Sequence, residues 1–334
     1  MANHKTYSIG IDVGGTKILV GLLDGNFRLI AEIKNKTKPE KGERYFLKTL
    51  LDSVQQALRD GGVGRSEVLA AGVGCPGFID PERGFIKASP NIPFLRSYPL
   101  AARLSSELGL PVVLGNDVQT GLYGEHQFGA AKGYANVVGI FMGTGVGGAI
   151  IINGELYRGS TGSAGEVGHI LMDPSGPLCG CGQRGCFEAF TGRLAIASEA
   201  AVLVARQQAP HLAQKTGTDI RAIKSGALAK AIQAGDKAVE ELIRHKARMV
   251  GIIMSDLVNL LNPDMIVLGG GVVEAMPHLI AREAEATMRA RAIGPSAKHV
   301  KVAIAKLKDY SIVMGAAKRA VDRFTEKRKG DRRG

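Results

Sequence analysis

The sequence predicts an α/β protein built from two lobes of related design. Three observations predict it. Short apolar, strand-like runs alternate with amphipathic helical stretches, the pattern of a sheet covered by helices. A strand, a glycine turn and a second strand occur twice, around Gly14-Gly15 and around Gly143–Gly148. The length, 334 residues, exceeds the ~100–200 of one ordinary domain.

Tyr7 to Asp12 is a short apolar run that ends in glycines, and the run KILVGLLD resumes after them and closes at Asp24-Gly25, a hairpin signal. Arg44 to Asp60 places Leu47, Leu50, Leu51, Val54, Ala57 and Leu58 at helical spacing. Val68 to Val73 reads as a strand before Cys75-Pro76-Gly77, and Leu100 to Leu108 as a helix. Pro111 to Leu114 is a short strand, followed by Gly115-Asn116-Asp117 and another helix. Val137 to Met142 and Ala149 to Ile152 flank the second glycine run, and Asn153-Gly154 turns the chain. Gly162 to Thr191 is polar and irregular. Ala195 to Leu261 is mostly helical, broken near Pro210 and Gly217, and its last piece, Glu240 to Leu261, is long and amphipathic. Pro263 ends it. Met265 to Leu268 and Val300 to Ala305 read as strands, and Gly315 to Phe324 as a closing helix.

Hydrophobic residues make up 45% and charged residues 22%, which excludes a largely disordered chain. The most apolar stretch, Val137 to Ile152, contains five glycines and is shorter than the ~20 residues of a spanning helix. The start, MANHKTYSIGID, has no apolar secretory core, so a cytoplasmic protein without a membrane partner is expected. The net charge of +12 suits an anionic ligand such as a nucleotide. The basic run at 327–334 reads as a solvated end, with no specific nucleic-acid partner.

The chain has 45 glycines, and they cluster after apolar strands at Gly14-Gly15, Gly143–Gly148 and Gly269–Gly271. Glycine admits positive φ and lets amide N–H groups approach phosphate without a Cβ between them. Gly143, Gly145 and Gly148 match GxGxxG, but a strand-like AIII follows instead of the helix a dinucleotide fold needs, so a dehydrogenase is disfavoured. Asp12, beside the first cluster, is suitably placed to hold Mg²⁺ through water.

His169 and Cys179, Cys181 and Cys186 give H-x9-C-x-C-x4-C. One imidazole and three thiolates fill a tetrahedral Zn²⁺ site with no vacancy, so the metal is structural. Cys75 reads as a small buried residue outside it. Asp117, after a strand and before a helix, suits a helix N-cap as well as a catalytic carboxylate.

DVGGTK at Asp12–Lys17, GCPG at Gly74–Gly77, GND at Gly115–Asp117, GTGVGG at Gly143–Gly148, EVGH at Glu166–His169, CGCGQRGCFE at Cys179–Glu188 and LGGG at Leu268–Gly271 run in this order over nearly the whole chain. In these motifs the sequence resembles the ROK family (repressor, open reading frame, kinase) and, within it, the bacterial ATP-dependent glucokinases.

The resemblance implies an actin-like, ribonuclease H-like, two-lobed sugar kinase fold with a zinc-bearing insertion. It implies a small lobe of residues 1–118 plus 310–334 and a large lobe of 119–309. It further implies a hexose 6-phosphotransferase with ATP and Mg²⁺. Asp117 would be the catalytic base. Gly77, Asn91, Asn116, Asp117, Glu166, His169 and Glu188 would hold the hexose. Gly14, Gly15, Thr16, Lys17, Gly143, Thr144, Gly145 and Gly147 would cradle the ATP phosphates, and Gly269, Gly270 and Gly271 would lie by adenosine. Phe94 departs from the family, which often carries Trp near that position. A homodimer or homotetramer is implied as well. N-acetylmannosamine, N-acetylglucosamine, fructose and mannose remain rival substrates, and polyphosphate a rival donor. A sugar-responsive regulator of the same family would carry a DNA-binding domain ahead of Asp12, where eleven residues stand.

Overall fold

A computed structural model describes residues 6–330, with side chains as far as Thr325. Of the basic run at 327–334, the backbone continues the last helix to Gly330 and the rest lies outside the described residues. The chain divides into two units. One takes in the chain through Lys132, Arg158–Ala164 and the chain from Asp309 on; the other takes in Gly133–Tyr157 and Gly165–Lys308.

The first unit begins with β1 (Tyr7–Val13), β2 (Lys17–Leu23) and β3 (Leu29–Lys36), an antiparallel meander. Asp24 closes the second turn by accepting the amides of Asn26 and Arg28 on one carboxylate oxygen, the Asx geometry that makes aspartate favourable there. α1 (Gly42–Asp60) follows and buries Phe46, Leu50, Val54 and Ala57, a stripe at spacings of three and four. β4 (Val68–Cys75) pairs parallel with β1, and a small hairpin of β5 (Phe78–Asp80) and β6 (Phe85–Ala88) leads to α2 (Leu100–Leu108). β7 (Val112–Asn116) pairs parallel with β4 and runs directly into α3 (Asp117–Phe128). The sheet order is β3-β2-β1-β4-β7.

The helix Tyr310–Gly330 closes this unit against β1, β4 and α3. It begins five residues before the apolar pattern suggested. The approach is so close that a Cβ on Gly10 would lie 1.9 Å from the carbonyl oxygen of Val313, and one on Gly72 at the same distance from that of Ala316. Only glycine lets backbone meet backbone at this range.

The second unit repeats the plan. β8 (Val137–Met142), β9 (Val146–Ile152) and β10 (Glu155–Tyr157) form an antiparallel meander. A cysteine-bearing segment leads to α4 (Phe187–Thr191), α5 (Arg193–Ala205), α6 (Pro210–Thr216), α7 (Ser225–Gln233) and α8 (Lys237–Leu261). Then come β11 (Met265–Gly269), α9 (Gly271–Ala275), α10 (Pro277–Arg291), α11 (Gly294–His299) and β12 (Lys301–Ile304). The order β10-β9-β8-β11-β12, with β11 parallel to both neighbours, matches the first sheet strand for strand. α8 is the spine of this core. It buries Val239, Ile243, Val250, Ile253, Met254, Leu257 and Val258, each worth about 1.5–3 kcal/mol of apolar transfer.

Two features escape the sequence pattern. α10 packs on α8 yet reads as polar, because it buries only Ile280, Ala284 and Met288 among arginines and glutamates. The division expected at residue 118 also differs from the observed one. α3 packs on the closing helix and so belongs to the first unit, as does the segment Arg158–Ala164.

Candidate active site

In the first unit the chemistry gathers at the carboxyl ends of parallel strands, where open α/β sheets hold ligands. Asp12 on β1 stands beside Gly74 on β4, Gly74 beside Gly115 on β7, and Cys75 beside Asn116. Asn116 is the N-cap of α3: its side-chain oxygen accepts the amide of Gln119 at 3.0 Å. Its amide nitrogen donates to the carbonyl of Gly77 at 3.2 Å. The capping role considered for Asp117 therefore falls to Asn116. Asp117 is the first residue of α3, where the helix dipole favours a carboxylate, and one of its oxygens accepts the amide of Val118. Gly77 has φ 115° and is hemmed in by the Ala88 carbonyl, so no side chain fits there.

The first glycine loop is a tight reversal in which the Gly14 amide donates to the Lys17 carbonyl at 2.8 Å. Thr16 stands at its tip and Lys17 opens β2. A Cβ on Gly15 would lie 3.0 Å from that of Asn91, which brings Asn91 to this loop. Two residues that local spacing did not single out hold the loop. Thr37, fully buried, donates its hydroxyl to the Gly14 carbonyl at 2.6 Å and its amide to the Thr16 carbonyl. Asp309 pairs with Lys17 at 2.6 Å and with Lys34 at 3.3 Å. Burial, reinforced by the charge of Asp117, pushes the Asp12 carboxyl up to about 7; Lys17 opposes the rise.

In the second unit, the second glycine loop is shorter than its motif. Val146, Gly147 and Gly148 already belong to β9, so Gly143, Thr144 and Gly145 form the turn. The strand that follows removes the helix a dinucleotide motif requires. Amides of Arg193 and Leu194, at the start of α5, donate to the carbonyls of Gly143 and Thr144. The positive φ expected of these glycines is found neither at Gly14 and Gly15 nor at Gly143, Gly145 and Gly147. Close approach requires glycine at Gly145 instead: a Cβ there would lie 2.0 Å from Glu188 Oε2, whereas one on Gly143 would meet open space. Gly269 ends β11 next to Phe141 of β8. Gly270, at φ 85°, turns past the Met142 carbonyl into Gly271 and α9. The second and third glycine clusters thus meet at the ends of two adjacent parallel strands.

Glu166, His169 and Glu188 lie together in this unit. Burial raises the Glu166 carboxyl, His169 lowers it and Glu188 raises it. Glu188 Oε2 accepts the Val146 amide at 2.8 Å, and its Oε1 lies 3.7 Å from Cys179 Sγ.

His169, Cys179, Cys181 and Cys186 offer four ligand atoms that all lie within 4.8 Å of one another. Cys179 Sγ is 3.8 Å from His169 Nδ1, and Cys181 Sγ is 3.6 Å from Cys186 Sγ. Tetrahedral zinc with ordinary bond lengths needs edges of about 3.8 Å between sulfurs and roughly 3.6 Å between sulfur and nitrogen. The donor set therefore fits zinc. Burial raises the Cys179 thiol to about 12, and a bound cation favours the thiolate form of such a ligand. Cys75 lies apart from this cluster, buried in the first unit's core. Phe94 packs edge-on against Phe46, ring centres 5.5 Å apart.

The model of the ROK family matches residues 8–323. A glucokinase of Streptomyces coelicolor is 36% identical over 270 residues, 79% of this chain and 82% of that one. A ROK family glucokinase from Streptomyces griseus, solved in complex with glucose and AMPPNP, is 32% identical with a TM-score of 0.83, covering 95% of this chain and 99% of that one. A ROK hexokinase from Thermus thermophilus is also 32% identical, with a TM-score of 0.79 over 96% and 99%.

Proposed function

The chain belongs to the ROK family, and from that premise we infer that it is a glucokinase-type hexokinase, moving the γ-phosphoryl group of ATP to the 6-hydroxyl of glucose. The observation that carries the reading is its similarity, at 32% identity and a TM-score of 0.83, to a glucokinase solved with glucose and an ATP analogue.

In this reading Asp117 is the base. It takes the proton of the sugar 6-hydroxyl as that oxygen bonds to the γ-phosphorus and ADP leaves. It stands at the first position of α3, where the helix dipole favours a carboxylate. Asn116 retains one amide hydrogen for the sugar after donating to Gly77. Gly77, Asn91, Glu166, His169 and Glu188 complete the hexose contacts. Gly14, Gly15, Thr16 and Lys17, with Gly143, Thr144, Gly145 and Gly147, hold the ATP phosphates, and Gly269, Gly270 and Gly271 border adenosine. Mg²⁺, bound with the nucleotide, would neutralise phosphate charge, and Asp12 would help to hold it. Zinc, when bound, supplies rigidity and no reacting group, because its four donors leave no vacancy. With Nδ1 facing the sulfurs, His169 keeps Nε2 for the sugar.

Among the described residues no helix is long and apolar enough to cross a membrane. The reading includes a cytoplasmic homodimer or homotetramer without a nucleic-acid partner, which light scattering and a filter-binding assay check.

The test is ADP production from ATP and Mg²⁺ over a panel of hexoses and N-acetylhexosamines, with Asp117→Ala as control. Glucose turnover at wild-type level, reduced by ~10²–10⁴ in the variant, is expected. Turnover with an acetamido sugar only moves the specificity, and no turnover with any sugar in zinc-replete protein overturns the reading.

A further inference from the structure

Arg319, on the closing helix, is 8% exposed. Its Nη1 lies 3.2 Å from the Thr120 hydroxyl on α3, and it fills the space a side chain on Gly115 would take. Among the described residues no carboxylate lies within ion-pair distance of it. Burial, with Arg158 and Arg323 nearby, lowers its guanidinium to about 10. A buried cation without a counter-charge is costly, several kcal/mol in real proteins.

Two more arginines stand around it. Arg323, one turn along the same helix, pairs with Glu82 at 2.6 Å. Arg158 opens the segment Arg158–Ala164 and reaches the same Glu82 only at 3.9 Å. The Arg158 Nε is buried without a hydrogen-bond partner. Arg158 and Arg323 thus share one exposed carboxylate, and Arg319 beside them has none within ion-pair distance, among the described residues.

We propose that Arg158, Arg319 and Arg323 form a binding site for a phosphate oxyanion, distinct from the glycine loops. Guanidinium forks match phosphate oxygens in geometry, and a dianion satisfies the Arg158 Nε and balances the Arg319 charge. Glu82 occupies part of the site and competes with the anion. The bound anion ties Arg158 to the closing helix and, through Arg319 and Thr120, to α3, the helix that begins at Asp117. Free phosphate and the phosphate group of a hexose phosphate carry the same chemistry.

The test is thermal melting of zinc-replete, full-length protein in inorganic phosphate against chloride of equal ionic strength. A rise in Tm is expected, lost in Arg158→Gln and in Arg323→Gln, kept in Lys17→Ala and enlarged in Glu82→Gln. A structural role alone for these arginines would leave no phosphate-dependent difference between Glu82→Gln and wild type. A rise unchanged in Arg158→Gln and Arg323→Gln, or no rise in the wild type, overturns the proposal. Replacing phosphate by glucose 6-phosphate separates the two sources. A larger rise lost in the same two variants supports the product as ligand, and an equal or smaller rise supports the free anion.

Discussion

Glu188 accepts the backbone amide of Val146 at 2.8 Å, and this one bond joins the cysteine-bearing segment to the second glycine loop. Glu188 is the second residue of α4, and Cys186, one of the four metal donors, is the N-cap of that helix. The Glu188 carboxylate is therefore positioned from both sides: by the cysteine cluster at the start of its helix and by the amide at the end of the second glycine loop.

Gly145→Ala tests this linkage. The added methyl group would fall 2.0 Å from Glu188 Oε2, so the carboxylate or the loop must move. We expect KM to rise for glucose and ATP together, with kcat/KM down by about tenfold or more, equivalent to ~1.4 kcal/mol. Zinc content should stay unchanged by elemental analysis. A rise confined to one substrate would show the two sites to be uncoupled.

Cys181→Ala removes one donor of the cluster. Elemental analysis should find zinc lost from the variant. The glucose KM should rise by about tenfold, ~1.4 kcal/mol, because α4 loses the anchor at its N-cap. Absence of zinc in the wild-type protein would refute the assignment.

Asp12 predicts a pH effect with a definite sign. The unfolded carboxyl gives up its proton near 3.8, whereas the folded one holds it to about 7. Between these values the native state binds more protons, so stability falls as pH rises, by at most about 1.4 kcal/mol per pH unit. The loss is complete above the folded value. Asp12→Asn removes the titration. In protein free of metal and nucleotide, the Tm advantage of the variant should grow through this window and then level off. A constant difference across the range would contradict the buried, protonated aspartate.

Gly10→Ala addresses the closing helix. A Cβ there would stand 1.9 Å from the Val313 carbonyl oxygen, and backbone cannot yield as a side chain does. Guanidinium unfolding should show a loss of about 1–3 kcal/mol, the usual cost of overpacking. Gly143→Ala, with open space around the added methyl, should leave stability within about 0.5 kcal/mol of wild type.

The sequence by itself determined the α/β class, the doubled strand–glycine–strand plan, the four metal donors and the sugar-kinase motifs. Each is carried by residues a few positions apart, where spacing alone constrains geometry. Only the tertiary structure decided that Asn116 and not Asp117 caps α3, that Asp309 pairs with Lys17, that Thr37 fastens the first loop and that Arg319 lies buried behind Gly115. α10 belongs with these, since its polar composition hides a helix that α8 stabilises by packing. The reason is physical. Lys17 and Asp309 meet only after the closing helix docks on β1, and Glu188 reaches Val146 only when the cysteine-bearing segment is folded. Pairings across such separations depend on the entropy of closing long loops and on the register of sheets, neither of which a local run of residues encodes.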